Sequence, residues 1–116
     1  MPMDPERARE LLASERSRLE RELGALKREG SFEGSDRREP GDEGSESLYE
    51  DELDQGRREE LEAGLLAVER AEARLAAGTY GLSVDSGDPI PEARLEIVPT
   101  AERTVEEDER YRRRSG

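Results

Sequence analysis

The side chains that could do chemistry in this 116-residue chain are almost all carboxylates and guanidinium groups. The chain contains no Cys and no His, which excludes disulfides, thiolate and Ser-His-Asp nucleophiles, and zinc sites built from sulfur and imidazole. Paired carboxylates can act as general acid and base, but they need a cleft that shifts a pKa. Only 31% of the residues are hydrophobic, which leaves little room for a cleft. We therefore predict that the protein is not an enzyme.

The carboxylates are concentrated in the middle of the chain. The formal net charge is −12, and residues 29–62 contain 14 acidic and 4 basic residues, a net charge of −10. Residues 1–28 are nearly balanced, with 7 basic and 6 acidic residues. The acidity argues against direct electrostatic binding to DNA or anionic lipid. The segment is therefore either a localised partner-binding feature or a solvated acidic loop without a partner.

Two helical arms are predicted to position this acidic segment. Ala, Glu, Lys, Leu and Arg make up 66 of the 116 residues, a composition typical of long helices. The first arm covers residues 4–29, with Asp4 as its N-cap, Pro5 at the first helical position and Gly30 as its stop. Its apolar stripe has coiled-coil-like spacing and consists of Ala8, Leu12, Leu19, Leu23 and Leu26.

The second arm is predicted over residues 47–77, after a tip loop at 30–46. Ser47 and Glu50 have the spacing of a capping box, and Gly78 is a C-terminal stop. Gly56 is expected to fray or kink the helix. The arm has its own stripe, Leu61, Leu65, Val68 and Leu75. Since neither stripe is buried alone, the arms should pair as an antiparallel hairpin over residues 1–78.

Residues 79–116 change character and predict a small lobe. Turn residues alternate with isolated apolar ones, residues 94–99 are interpreted as a short strand, and Thr100 is predicted to cap a final helix that runs to about Arg114. A segment with so few apolar residues commonly needs a staple such as a metal. Its predicted core is Tyr80, Leu82, Ile90, Leu95 and Ile97.

The segment from Gly78 to Ala101 resembles the zinc-finger region of a known family. It contains, in order, Gly-Thr-Tyr-Gly, Asp-Ser-Gly, Pro-Ile-Pro, Arg-Leu-Glu and Pro-Thr-Ala. These motifs are similar to those of the DnaK-suppressor-like (DksA/TraR) family of bacterial RNA polymerase-binding transcription factors. The resemblance implies a mostly α fold: a long antiparallel helical hairpin (coiled coil) with an acidic tip, a small C-terminal zinc-finger-like lobe and a short terminal helix.

The resembled family has two C-x2-C pairs as zinc ligands, and this chain has lost every cysteine. The spacing of two, seventeen and two intervening residues is retained, and the ligand positions are occupied by Ser83, Ser86, Thr104 and Glu107. A hydroxyl is a poor zinc ligand compared with a thiolate, so we predict vestigial metal-ligand positions, no zinc and no other cofactor. Hydrogen bonds from the hydroxyl groups could close the lobe instead. A hard-cation site at Asp85, Asp88 and Glu107 is the less favoured alternative.

The resemblance also implies a role for the tip. In the family, acidic tip residues in a D-x-x-D-x-A pattern enter the secondary channel of RNA polymerase and approach the catalytic centre. Here Asp42 matches the second acid, Glu39 stands at the first, and Gly44 replaces the alanine. The predicted partner-binding residues at the tip are Glu39, Asp42, Glu43 and Glu46. A weaker predicted contact is the C-terminal basic run, which comprises Arg110, Arg112, Arg113 and Arg114.

These features predict a non-enzymatic transcription regulator that binds RNA polymerase without sequence-specific nucleic-acid contacts. The longest apolar run, residues 65–68, is far shorter than the roughly 20 residues of a membrane span, and no signal peptide is recognisable. We therefore expect a cytoplasmic monomer without membrane contact. The alternatives are a diverged paralogue acting as a helical interaction or dimerisation module, and an acidic chain that mimics nucleic acid or stays largely disordered.

Overall fold

The computed structural model describes residues 3–36 and 45–115, with side chains described for residues 3–27 and 53–114. In this part of the chain there are four helices: α1 (Pro5–Asp36), α2 (Ser45–Ala77), α3 (Glu92–Ile97) and α4 (Val105–Ser115). The β-structure in the described residues is an isolated antiparallel bridge between Leu82 and Pro89. The predicted mostly α fold class is confirmed. None of the described helices is long and apolar enough to cross a membrane.

The chain divides into two compact units, each containing a part of α1 and a part of α2. Unit 1 comprises Met1–Glu15 and Ala67–Gly116, and unit 2 comprises Arg16–Leu66. The sequence interpretation placed a boundary after residue 78, between a hairpin and a lobe. The structural units differ from it because the first turns of α1 and the last turns of α2 share a core with the C-terminal segment.

The core of unit 1 is assembled from segments distant in sequence. Leu12 of α1 and Leu95 of α3 are fully buried, and the Tyr80 hydroxyl donates a 2.8 Å hydrogen bond to the Pro99 carbonyl oxygen. Ile97, predicted to be in this core, is instead 80% exposed. The buried members of the core are Met3, Ala8, Leu12, Ala71, Tyr80, Ile90, Leu95 and Ala101.

The start of α1 and the end of α2, which both lie in unit 1, have the predicted chemistry. The Asp4 carboxylate accepts hydrogen bonds from the N–H groups of Glu6 (3.1 Å) and Arg7 (3.2 Å), which satisfies two free donors at the start of α1. At the end of α2, Gly78 has a φ of 83°. The Thr79 N–H bonds to the Arg74 carbonyl oxygen at 2.9 Å, and the Gly78 N–H bonds back to α2 at 3.2 Å. This pair of bonds is a Schellman motif.

Unit 2 is an antiparallel helix pair with a tight apolar seam. Leu19, Leu23 and Leu61 are buried, and Gly64 lies so close to Leu19 that an added Cβ would be 3.1 Å from its Cδ1 atom. An ion pair joins Arg57 of α2 to Glu22 of α1. Within unit 2, the described contacts thus place Leu19 of the first predicted stripe against α2 at Gly64, and Leu61 of the second stripe is buried.

The helices extend further than the glycine positions predicted. α1 continues through Gly30 to Asp36, and α2 begins at Ser45 and runs uninterrupted through Gly56. A glycine costs a helix interior only about 1 kcal/mol relative to Ala, so it does not stop a long helix unless the backbone also takes a left-handed conformation. Gly78 does take that conformation, which is why α2 ends there.

Two predictions for the C-terminal third are wrong. Residues 92–97 form helix α3 rather than a strand, because Pro91 begins a turn in which its carbonyl oxygen accepts from Arg94 (3.0 Å) and Leu95 (3.2 Å). Glu, Ala, Arg and Leu are also good helix formers. The final helix begins at Val105, five residues after the predicted cap at Thr100, because the side chain that caps it belongs to Thr104.

Candidate functional site

The candidate site is built on a tight loop, residues 81–90, which we call the knuckle loop. Its two sides are joined by backbone bonds from the Ser83 N–H to the Asp88 carbonyl oxygen (2.8 Å) and from the Ile90 N–H to the Gly81 carbonyl oxygen (2.8 Å). Gly87 reverses the chain with a φ of 80°, a conformation that favours glycine. This geometry holds the residues at the first two vestigial positions on one short turn.

Ser83 faces the interior of the knuckle loop and is only 5% exposed. Its Oγ accepts hydrogen bonds from the N–H groups of Asp85 (3.0 Å) and Ser86 (3.2 Å). The Ser86 Oγ in turn accepts from the Asp88 N–H at 3.2 Å. The hydroxyl groups therefore satisfy backbone donors that the turn would otherwise leave unpaired.

The other two vestigial positions form a capping box at the start of α4. The Glu107 N–H donates to the Thr104 Oγ1 (3.2 Å), and the Thr104 N–H donates to Glu107 Oε1 (3.0 Å). This reciprocal pattern is the one expected of Thr-x-x-Glu at a helix N-terminus. Residues 104–107 have the Thr-x-x-Glu spacing of a capping box. The interpretation of Thr104 and Glu107 as vestigial metal ligands leaves this signal out.

The knuckle loop and α4 are joined through the carboxylate of Glu107. The Ser86 hydroxyl donates to Glu107 Oε2 at 2.6 Å, while the other carboxylate oxygen is held by Thr104. Glu107 is 7% exposed. Hydrogen bonding by the Ser83 hydroxyl, by the Ser86 hydroxyl and by the Thr104 N–H lowers the pKa of Glu107 to about 2, against the opposing effect of burial. The structure thus brings together all four vestigial positions, which we call the Ser/Thr/Glu cluster.

The donor set of the Ser/Thr/Glu cluster does not fit a zinc ion. Three of the four groups are hydroxyls that stay protonated at neutral pH, and structural zinc sites use thiolate and imidazole ligands. The Glu107 carboxylate oxygens are already bonded to the Ser86 hydroxyl and the Thr104 N–H. Among the described side chains, no group of three or more Asp, Glu, His or Cys is placed to hold a metal, and Asp85 pairs with Arg103 at 2.9 Å instead.

Arginines surround the cluster and connect its elements. Arg103 pairs with Asp85 and lies 4.0 Å from the centre of the Tyr111 ring, so it links the knuckle loop to α4. Glu102 accepts from Arg70 (2.8 Å) and Arg74 (3.2 Å) of α2. These ion pairs join residues 28 to 32 positions apart, and the spacing of single residues gave no signal for them.

The predicted C-terminal contact residues lie on α4. Arg110, Arg112, Arg113 and Arg114 are all exposed. Arg112 pairs with Asp108 at 3.1 Å, so the exposed run is partly neutralised. The predicted tip residues Glu39, Asp42 and Glu43 lie outside the described residues. Glu46 is in the first turn of α2, and its side chain lies outside the described part.

Sequence similarity to known proteins covers part of the chain. No protein-family model matches the chain. Two curated relatives, both RNA polymerase-binding transcription factors DksA, come from Caulobacter vibrioides strains NA1000 / CB15N and ATCC 19089 / CIP 103742 / CB 15. Each is 45% identical over 47 residues, which is 40% of this chain and 33% of the relative. The match thus spans about a third of the length of these relatives.

A solved structure extends the similarity to almost the whole chain. The transcription factor DksA2 from Pseudomonas aeruginosa matches with a TM-score of 0.75 and 26% identity, over 96% of this chain and 84% of that one. The fold and the site define a helical protein with a hydrogen-bonded knuckle at the positions predicted to be vestigial metal ligands. The chain is similar to DksA transcription factors in sequence over 47 residues and in fold over almost its whole length.

Proposed function

We propose that this protein is a non-enzymatic transcription regulator that binds RNA polymerase through its secondary channel, with the acidic segment directed towards the catalytic centre. The observation that carries the proposal is the match to a transcription factor over 96% of the chain. The tip residues Glu39, Asp42, Glu43 and Glu46 would act near the catalytic centre. Binding would involve no sequence-specific nucleic-acid contact, and the protein would work in the cytoplasm as a monomer.

Charge distribution supports this mode of binding. Residues 29–62 have a net charge of −10, and they join the two helices that pair in unit 2. A carboxylate cluster on a narrow helix pair suits a channel lined by basic groups and ending at a divalent metal. Complementary charge of this kind raises the association rate and fixes orientation more than it adds affinity. The C-terminal run, including Arg113 and Arg114, would contact the outer surface of the polymerase.

Retention on core RNA polymerase and transcription in vitro test the proposal. The Asp42→Asn, Glu39→Gln double variant should associate about tenfold more slowly at low salt and lose its effect on transcription. The matched control is the Glu69→Gln, Glu92→Gln double variant, which removes the same charge from exposed positions outside residues 29–62 and should behave as wild type. If the wild-type chain is not retained, or the tip variant regulates normally, the proposal is rejected.

We also propose that the protein contains no zinc or other cofactor. The support is chemical, because hydroxyl groups stand at three of the four ligand positions. Mass-spectrometric metal analysis of the purified chain should find far less than one zinc ion per molecule. A stoichiometric amount would contradict the proposal without affecting the case for polymerase binding.

The alternative is a helical interaction module without polymerase activity. Leu53 and Leu66 on α2 are 55% and 56% exposed, which favours some apolar contact outside the chain. The buried stripes argue against pairing between chains, because Leu19 of α1 lies against α2 at Gly64 and Leu61 is buried within unit 2. Light scattering separates the two candidates: a stable dimer supports the alternative, and a monomer retained by polymerase supports the first proposal.

A further inference from the structure

We propose that the Glu107 carboxylate is the group that closes the C-terminal lobe, and that it occupies the structural role of the metal ion in a four-cysteine lobe. The proposal concerns unit 1 alone and does not depend on polymerase binding. A metal closes such a lobe by holding two distant pairs of ligands to one centre. Here the two pairs are Ser83 with Ser86, and Thr104 with Glu107 itself.

The first step in the argument is that Glu107 reaches both pairs at once. Its Oε2 accepts from the Ser86 hydroxyl at 2.6 Å, which ties α4 to the knuckle loop. Its Oε1 accepts from the Thr104 N–H at 3.0 Å, which ties it to the start of its own helix. Ser86 and Glu107 are 21 positions apart in the chain, so this side chain makes a long-range connection between the two pairs, in addition to the Val84 N–H bond to the Glu102 carbonyl oxygen (2.8 Å) and the Arg103–Asp85 ion pair.

The second step is that the carboxylate is held by neutral donors. Within the described part of the chain, Glu107 has no ion pair, although three nearby arginines, Arg94, Arg103 and Arg112, pair with Asp85 or Asp108. A buried carboxylate must be satisfied by hydrogen bonds if it is not paired with a cation. The hydroxyl and N–H donors of the cluster provide these hydrogen bonds. Because an unsatisfied buried charge is costly, loss of one donor should also weaken the hydrogen bonds of the others.

The third step separates closure from simple capping. A capping box needs only one oxygen at its third residue, and Gln satisfies it as well as Glu. Closure of the knuckle needs a second acceptor, Oε2, for the Ser86 hydroxyl. Glu107→Gln retains the first acceptor and replaces the second with an amide donor, so the charge-assisted bond from the Ser86 hydroxyl is lost and at most a weaker neutral bond to Ser86 Oγ replaces it. It is therefore a variant in which the two roles give different results.

The experiment is amide hydrogen exchange on the full chain, followed residue by residue by nuclear magnetic resonance. In Glu107→Gln, we expect about tenfold faster exchange at the knuckle amides Asp85, Ser86 and Asp88, corresponding to one lost hydrogen bond. The Thr104 amide should exchange as in wild type. In Glu107→Ala, Thr104 should be affected as well.

The matched control is Glu106→Gln, which removes the same charge from the adjacent, exposed position in the first turn of α4. It should leave all of these rates unchanged. Adding EDTA to the wild-type protein should also leave them unchanged. If Glu107→Gln leaves the knuckle amides as they are, Glu107 is only a cap and the proposal fails. If EDTA accelerates their exchange in the wild type, a metal closes the lobe and the proposal fails equally.

Discussion

At the scale of single residues, serine and threonine can keep the geometry of a cysteine knuckle but not its chemistry. Oxygen replaces sulfur with little change in shape, yet the hydroxyl stays protonated at a pH where a metal-bound thiol is ionised. A protonated hydroxyl both donates and accepts hydrogen bonds. Ser83 and Ser86 use this to satisfy backbone N–H groups and to meet the Glu107 carboxylate.

The lowered pKa of Glu107 predicts how its contribution to stability depends on pH. Its pKa is about 2 in the folded protein against 4.5 ordinarily, so its ionised form favours folding. That contribution is fully present above pH 4.5, decreases as the pH falls and is lost near pH 2. The difference in free energy of unfolding between wild type and Glu107→Gln should follow the same course. Urea titrations at pH 7, 4, 3 and 2 measure it.

Other groups do not disturb this comparison. The carboxyl pKa of Glu96 is lowered by hydrogen bonding with Arg7, and that of Glu102 is lowered overall by Arg70 and Arg74 although burial raises it. Both carboxyl groups are present in the wild type and in Glu107→Gln, so their titration cancels in the difference between the two proteins. The charged residues next to the cluster in sequence are Asp85 and Asp88 on the knuckle loop and Asp108 on α4; Asp85 pairs with Arg103, and Asp108 pairs with Arg94 and Arg112. A difference that is constant from pH 7 to pH 2 would contradict the assigned role of Glu107.

At the scale of elements, local rules predicted some features and long-range contacts decided the rest. The Asp4 cap, the Gly78 stop and the two leucine stripes follow from spacing and side-chain chemistry, and the structure has all of them. Residues 94–99 were interpreted as a strand because Leu95, Ile97 and Val98 are apolar. Only Leu95 among them is buried, because Pro91 sets a helical turn whose register turns Ile97 to solvent.

The two glycines inside α2 differ in the space available for an alanine methyl group. At Gly56, an added Cβ meets nothing within 4 Å, whereas at Gly64 it comes within 3.1 Å of Leu19. Gly56→Ala should therefore raise the free energy of unfolding by about 1 kcal/mol through better helix propensity. Gly64→Ala should gain less, because Leu19 has to shift. Urea unfolding followed by circular dichroism tests the pair, and an equal gain at both positions would show that the seam is looser than described.

The retained ligand spacing predicts that the zinc site can be restored. Replacing the members of the Ser/Thr/Glu cluster with cysteines gives two C-x2-C pairs on elements that already meet through the Ser86–Glu107 bond. The variant Ser83→Cys, Ser86→Cys, Thr104→Cys, Glu107→Cys should bind one zinc ion per chain and become sensitive to chelators. Metal analysis and thermal unfolding with and without EDTA measure this. A variant with only Ser83→Cys and Ser86→Cys is the control and should bind zinc far more weakly.

At the scale of the whole molecule, the N-terminal turns of α1 are a structural part of the C-terminal lobe. Leu12 is fully buried in the unit 1 core, together with Met3 and Ala8. Arg7 makes a two-bond contact with Glu96, at 2.6 and 3.0 Å. From the sequence, these residues are predicted to belong to a separate hairpin. A 3.6-residue period of apolar residues indicates that one face of a helix is buried, but it does not indicate which segment packs against that face.

The buried position of Leu12 gives a quantitative prediction. Leu12→Ala should lower the free energy of unfolding by about 2–5 kcal/mol, the usual range for removing a buried leucine. It should also loosen the lobe at Tyr80 and Leu95, which share the core with it. Leu66→Ala, at a position that is 56% exposed, is the matched control and should change stability by less than about 1 kcal/mol. Equal losses in the two variants would contradict the described core.

The contact between Arg7 and Glu96 joins residues 89 positions apart, and this separation has a consequence for the order of folding. During synthesis, the first turns of α1 emerge long before α3, the partner that completes their burial. Contacts of high sequence separation form late because a long loop must close first. In unit 2, Glu22 and Arg57 are only 35 positions apart. We therefore expect the helix pair of unit 2 to form first, and the lobe to close only when the last third of the chain has been made.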